Sequence, residues 1–264
     1  MIRKRSTLRR KARSFLARAM AVIENNDNAD FQTNGERRFV ERLFALLRER
    51  FEPPLVLFDV GANAGHYSAM LLQLADPTPV QLHAFEPAAG CVLTLRARFG
   101  ADPRVRIAAA AVSNDDGMKR LYFDEPGSGL ASLYDRDLSL YAMSLGQSED
   151  VPTIRLDRYI EREAIAHVHF LKLDIEGHEA AALEGLGRYL DPAFLDFVQF
   201  EYGGTNLDSN TTLRQLFSTF TSRGFRIAKI MKKGLELREY EVAMENYQYS
   251  NYVAVAPAIA DALA

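Results

Sequence analysis

The sequence predicts an α/β fold: a doubly wound, mostly parallel sheet that carries an N-terminal helical extension. Three observations lead there. Short, wholly apolar runs recur along the chain, as in strands covered on both faces, and stretches of helical period separate them. The first run ends in "DVGANAG", a loop of small residues leading into a helix. Strands alternating with helices form a parallel sheet, and open sheets of this kind bind ligands beyond the carboxyl ends of their strands.

Composition sets the limits. With 264 residues, 48% hydrophobic and 25% charged, the chain buries a full core, which excludes a disordered or fibrous protein. Its single cysteine, Cys91, allows no intrachain disulfide and no cysteine zinc cluster, so a reducing, cytoplasmic setting fits and a core thiol is expected. No apolar run reaches the roughly 18 residues of a spanning helix. Charge is unevenly placed: the first twenty residues hold eight basic groups, Arg3, Lys4, Arg5, Arg9, Arg10, Lys11, Arg13 and Arg18, and no acid. The remainder has 24 basic against 35 acidic residues, a net −11 beside −3 for the whole chain. Ile2, Leu8, Phe15, Leu16 and Met20 are interleaved with the basic groups, a pattern that suits a helix on the inner face of an anionic membrane or on an acidic partner. A basic leader packed on its own domain fits as well. Arg13 and Arg18 interrupt the apolar stretch that a secretory signal would need. The expected organisation is a basic helical extension over residues 1–50, one domain over 51–256 and a tail over 257–264.

Thr33 and Glu36 stand at capping-box spacing before Phe39, Val40, Leu43, Phe44, Leu46 and Leu47, which predicts a helix ended by Glu52, Pro53 and Pro54. A strand follows over 55–58, then a helix on Tyr67, Met70, Leu71 and Leu74. The next pair is a strand over 80–85, ending at Glu86 and Pro87, and a helix on Leu93, Leu95 and Phe99. A third strand covers 105–112. The alternation pauses at 121–123 and the "GSGLASLYDRD" segment, an excursion of the kind that carries specificity, and returns through a strand over 151–156. Strands over 168–173, 194–200, 225–230 and 252–255 complete the set, with helices from "HEAAALEGLGRYL" and around 213–220.

The first loop does not suit a dinucleotide. Its spacing, Asp59-x-Gly61-x-x-x-Gly65 around Asn63, departs from G-x-G-x-x-G, and Asp59 would repel a pyrophosphate. An ammonium-bearing ligand reverses that sign. S-adenosylmethionine offers an ammonium, a carboxylate for the helix end and a ribose diol, and Glu86 at the next strand end is placed to accept from such a diol.

The blocks "FDVGANAGHYS", "AFEP", "AAVSND" and "FLKLDIEGHEAAALEGL", in this order, resemble the FkbM family of S-adenosylmethionine-dependent methyltransferases over about residues 55–255. The resemblance implies a class I methyltransferase fold of Rossmann-like type and O-methylation of sugar or polyketide-derived hydroxyls. It also implies that Asp59, Gly61, Asn63, Gly65 and Glu86 line the cofactor site, that Ser113 lies by the adenosine, and that Asp174 borders the same cofactor. The basic leader has no counterpart in these blocks.

Methyl transfer to an alcohol needs alignment and removal of a proton. Asp174, Glu176, His178 and Glu179 gather at the end of the 168–173 strand, and Glu201 ends the next one. Either His178 or Glu176 acts as a direct base, the favoured reading, or Asp174, Glu176 and Glu201 hold Mg²⁺. His178 and Glu179 also suit simple capping of a helix start. His167 and His169 sit at the wrong strand end and read as structural, while Tyr247, Tyr249, Asn251 and Tyr252 suit a sugar-binding wall. The expected substrate is a small-molecule or glycan acceptor, with N- or C-methylation and a catalytically inactive cofactor-binding module as alternatives. Nucleic acid is disfavoured by the acidic body and by the lack of an N-P-P-Y tetrad.

Overall fold

The computed structural model describes residues 7–139 and 143–263. Its helices are α1 (Thr7–Ile23), α2 (Glu36–Arg50), α3 (His66–Ala75), α4 (Ala89–Phe99), α5 (Leu156–Arg162), α6 (Glu179–Gly185), α7 (Thr205–Asp208), α8 (Leu213–Thr221) and α9 (Pro257–Leu263). The strands are β1 (Leu55–Val60), β2 (Val80–Phe85), β3 (Val105–Ala108), β4 (Ala111–Val112), β5 (Gly117–Phe123), β6 (Gln147–Ile154), β7 (Val168–Leu173), β8 (Leu195–Tyr202), β9 (Arg226–Met231), β10 (Gly234–Leu237) and β11 (Ser250–Val255).

Eight strands form the main sheet in the order β10-β9-β11-β8-β7-β1-β2-β3. Pairing is parallel from β8 through β7, β1 and β2 to β3, whereas β11 runs antiparallel between β8 and β9, and β10 folds back on β9. Every residue of β7, β8 and β11 is buried, which is why those segments read as unbroken or nearly unbroken apolar runs. Successive side chains point to opposite faces, so Leu57, Phe170 and Phe197 join a core under α2, α3 and α9, while Phe58, Leu171 and Val198 join a second core under α5, α6 and α8.

Several expectations change. The strand foreseen over 105–112 divides: β3 stays in the main sheet and β4 joins β6 and β5 in a separate three-stranded sheet. The break falls at Ala109 and Ala110, where a tight turn sends Ala110 N–H to the Ala108 carbonyl. The excursion is that second sheet, and Leu156 begins α5 instead of ending a strand. Sequence pattern missed β10 because its hairpin pairs the half-exposed "GLEL" with β9 across Lys232 and Lys233 and carries no apolar run. On α4, Leu93 is exposed, and Cys91, Val92, Leu95 and Phe99 form the inner face.

Helix α2 is no appendage. Phe39, Val40, Leu43, Phe44 and Leu47 are buried in the first core, so packing joins this helix to the domain that the sequence suggests starts at residue 51. Its capping box does not form: Gly35, at φ 105°, precedes it without a side-chain cap, and Thr33 Oγ1 turns to Asp30. A Cβ at Gly35 would lie 2.3 Å from the Met231 carbonyl oxygen, so this turn presses against the end of β9. Asn25 donates to the Asn34 and Ile230 carbonyls, and Asn26 accepts from Lys229, which fastens the segment before α2 across the sheet. By contrast, α1 buries none of its residues.

Candidate active site

The carboxyl ends of β1, β2, β7 and β8 meet around a cavity of about 240 Å³. Gly61 takes φ 87°, and both Gly61 and Ala62 donate their N–H groups to the Phe85 carbonyl. A Cβ on Gly61 would stand 1.8 Å from the Asp174 carbonyl oxygen. Glycine is therefore demanded by the approach of the β1 and β7 loops, not by a ligand. Asn63 donates its N–H to Glu86 Oε2 at 2.8 Å, and Ala88 donates to Glu86 Oε1 at 2.9 Å. An ionised carboxylate accepts about four hydrogen bonds, so Glu86 keeps acceptor capacity toward the cavity it lines. Its burial raises the carboxyl to about 7, against those two N–H donors.

Gly61, Asn63, Glu86 and Asp174 line the cavity, whereas Asp59, Gly65 and Ser113 do not. Asp59 is fully buried behind it; Oδ2 accepts from Ser68 Oγ at 2.6 Å and Oδ1 has no hydrogen-bond partner among the described residues. Gly65 starts α3 against Leu95 and Phe99, and Ser113 lies behind His178.

A smaller cavity of about 140 Å³ adjoins the first and shares Ala29, Gly61, Asn63, Asp174 and Tyr249 with it. Phe31, Glu36, Tyr67 and Lys172 add to its wall. Lys172 and Asp174 lie on one face of the strand end, two residues apart, with Nζ to Oδ2 at 2.6 Å. Burial works against the Lys172 charge, but the Asp174, Asp59 and Glu36 carboxylates overcome it and hold the ammonium protonated. Burial likewise opposes ionisation of Asp174; Lys172 and the hydrogen bond from Glu201 outweigh it and hold Asp174 below its ordinary range. Glu201 is pushed far the other way, by burial first and then by the Asp174 and Glu176 charges.

Glu176, with φ 52°, pairs with Arg136 at 2.9 Å, and Arg136 also holds Asp208 at 3.2 Å. Burial and the neighbouring Asp174 charge lift Glu176 to about 8 against the pull of Arg136. Both ring nitrogens of His178 are engaged, Nε2 with Ser113 Oγ and Nδ1 with Tyr134 Oη, each at 3.0 Å. Ser113 donates onward to Asp115 at 2.9 Å, which assigns the ring proton to Nε2 and leaves Nδ1 accepting from Tyr134. Burial lowers His178 to about 4. It lines the cavity and bridges the excursion to the segment after β4, with both ring nitrogens already engaged. Glu179 Oε1 accepts from the Ile175 and Gly177 N–H groups and closes the turn above α6.

The donor set does not fit Mg²⁺. Lys172 and Arg136 already pair with Asp174 and Glu176, and among the described residues these carboxylates and Glu201 do not come together at metal-ligand spacing. At the far end of β7, His167, His169 and Asp196 lie at metal-ligand spacing. Val56 N–H donates to His169 Nδ1, so the proton sits on Nε2 and neither nitrogen is open to an ion. His167 instead bonds Asp196 at 2.7 Å, in keeping with a structural role.

Of the tyrosine wall foreseen near the C-terminal strand, Tyr249 alone lines the two cavities; Tyr252 is core, Tyr247 packs on Tyr202, and Asn251 bonds Tyr249 and Gln199 from behind. Cys91 is a buried thiol, pushed up to about 11 by that burial. Arg136, Lys172 and Glu36 are the site residues that sequence reasoning missed. A lysine inside the apolar run "FLKLD", in phase with the aspartate, was a usable signal; Arg136 sits in the excursion and gave none.

A sheet with β11 reversed between two parallel strands, helices on both faces and a ligand cavity over the carboxyl ends of β1 and β2 define a class I methyltransferase fold. A profile of the methyltransferase FkbM domain matches residues 59–227, and the chain belongs to that family. The 31-O-demethyl-FK506 methyltransferase FkbM of Streptomyces tacrolimicus is 28% identical over 173 residues, 56% of this chain and 65% of that protein. The crystal structure of methyltransferase FkbM from Methylobacillus flagellatus KT matches with a TM-score of 0.50 at 15% identity, covering 78% of this chain and 44% of that one. This chain thus spans less than two thirds of the length of either protein, and the second likeness speaks for the fold alone.

The residues fit S-adenosylmethionine: Glu86 keeps acceptor capacity for a ribose diol, Phe85 and Val112 give apolar walls, and ionised Asp174 borders the cavity near Gly61.

Proposed function

We propose that the protein is an S-adenosylmethionine-dependent O-methyltransferase whose acceptor is a hydroxyl of a sugar, glycan or glycosylated natural product. The observation that carries this reading is the position of the Asp174 carboxylate, paired with Lys172 and one-third exposed where the two cavities join. When bound, S-adenosylmethionine supplies an electrophilic methyl group. Asp174 would accept the hydroxyl proton as the acceptor oxygen bonds the methyl carbon and that carbon's bond to sulfur breaks, so that no free alkoxide is needed and the sulfonium leaves as a neutral thioether. Lys172 keeps Asp174 ionised at neutral pH, and Arg136 fixes Glu176 beside it. Tyr249 and Phe31 provide ring faces of the kind that pack against a pyranose. The name of the Streptomyces relative, which specifies an O-demethyl acceptor, agrees with oxygen as the atom methylated.

Incubation with methyl-labelled cofactor and fractionated host glycans, followed by mass and linkage analysis, tests the reading. Label on a glycan oxygen, undiminished by chelator, is the expected result. Label on nitrogen or carbon would replace it, and loss of activity on chelation would reinstate the cation.

A further inference from the structure

We propose that α1 is a docking helix that lies along the surface of an anionic lipid bilayer. Leu8, Phe15, Leu16, Met20, Val22 and Ile23 are exposed to between 54% and 79%, and none of the helix is buried against the domain. At about 100° per residue, Leu8, Ala12, Phe15, Leu16, Ala19, Val22 and Ile23 fall in one stripe about a third of the circumference wide. Lys11 and Arg18 border one edge of that stripe, Arg9 and Arg13 the other, and Arg10 stands behind it. No acidic residue occurs before Glu24.

This arrangement selects its occupant. Cations on both flanks of an apolar stripe reach the phosphate level while the stripe enters the acyl boundary, and their stems cover apolar surface on the way. The helix has too few residues, and too many charges, to cross a membrane; no helix among the described residues is long and apolar enough to do so. Its root is rigid. Glu24 bonds Lys229 and Arg238, and Asn25 and Asn26 are buried on β9, so a docked helix is tied to the segment whose Ala29 and Phe31 line the cavities.

Sedimentation of the full chain with vesicles provides the test. Binding to phosphatidylcholine mixed with phosphatidylglycerol is expected, falling steeply as salt is raised, with little binding to phosphatidylcholine alone. The double change Arg13→Glu and Arg18→Glu should weaken binding to the mixed vesicles about 10²-fold. Phe15→Ser with Leu16→Ser should weaken it by about as much, and both variants should keep the wild-type melting temperature because α1 buries nothing. Equal binding to the two vesicle types, or none to either, would overturn the proposal. So would a dimer in solution that the Phe15→Ser and Leu16→Ser variant abolishes, which would assign the stripe to a second copy.

Discussion

The wall formed by Gly61, Asn63 and Glu86 is held by main-chain hydrogen bonds within the loops after β1 and β2. The wall formed by Glu36, Arg136, Lys172, Asp174, Glu176 and Glu201 is held by charge, with members drawn from the chain's N-terminal part, its excursion, β7 and β8. The first is local and set by backbone conformation. The second depends on a balance of charge: Lys172 holds Asp174 ionised against its burial, and Arg136 pairs with Glu176 beside it. A cofactor common to many enzymes suits the first construction, and an acceptor that differs among them suits the second.

Gly61→Val should break the first wall outright. Its Cβ would meet the Asp174 carbonyl at 1.8 Å with the backbone at positive φ, so loss of the folded protein is expected, read by circular dichroism and thermal melting. Asp174→Asn should separate the walls. Turnover is expected to fall about 10²–10⁴-fold, far more than cofactor affinity falls; calorimetry showing an equal loss of binding would merge the two. Glu86→Gln keeps one acceptor for Asn63 or Ala88 and should cost about 1–3 kcal/mol of cofactor binding with little change in turnover at saturation. His178→Ala, which removes a strut, should cost about 1–3 kcal/mol of stability and leave turnover within about tenfold of wild type. A loss as large as that of Asp174→Asn would restore His178 as the base.

The smallest effect is a matter of pH. Burial raises Glu179 from an ordinary 4.5 to about 7, so its contribution to stability is complete below about 4.5 and is lost as pH rises through about 7. His178, lowered to about 4, works in the opposite direction between about 4 and its ordinary 6.5, so the wild-type profile mixes the two. Glu179→Gln isolates the first: its melting temperature relative to wild type should climb from about pH 4.5 to about pH 7. A flat difference would mean that Glu179 is ionised throughout.

Local signals in the sequence were enough for most of the main sheet, β10 excepted. The runs at 80–85 and 168–173 coincide with β2 and β7, and Gly61, Asn63 and Glu86 reach the cavity wall from a contiguous loop and one strand end. Long-range partners were not legible. Glu36 looked like a capping residue because Thr33 precedes it by three, yet its carboxylate accepts from Gln199 at 2.6 Å, a residue 163 positions away. His178 looked like a base from its position in "DIEGHE", and only the pairing with Ser113 and Tyr134 shows both nitrogens in use. Sequence names the groups at a strand end; the packing of other segments decides which of them is left to react.

The place of β11 in the sheet has a consequence for the order in which the chain matures. β8 and β9 lie in one sheet without touching, because β11 sits between them. During synthesis neither strand can gain that partner until residue 255 is made, and Tyr249, just ahead of β11, completes both cavities at the same late moment. Pairings over such separations form slowly. On a ribosome-bound chain neither cavity is therefore closed before the residues around Tyr249 are in place.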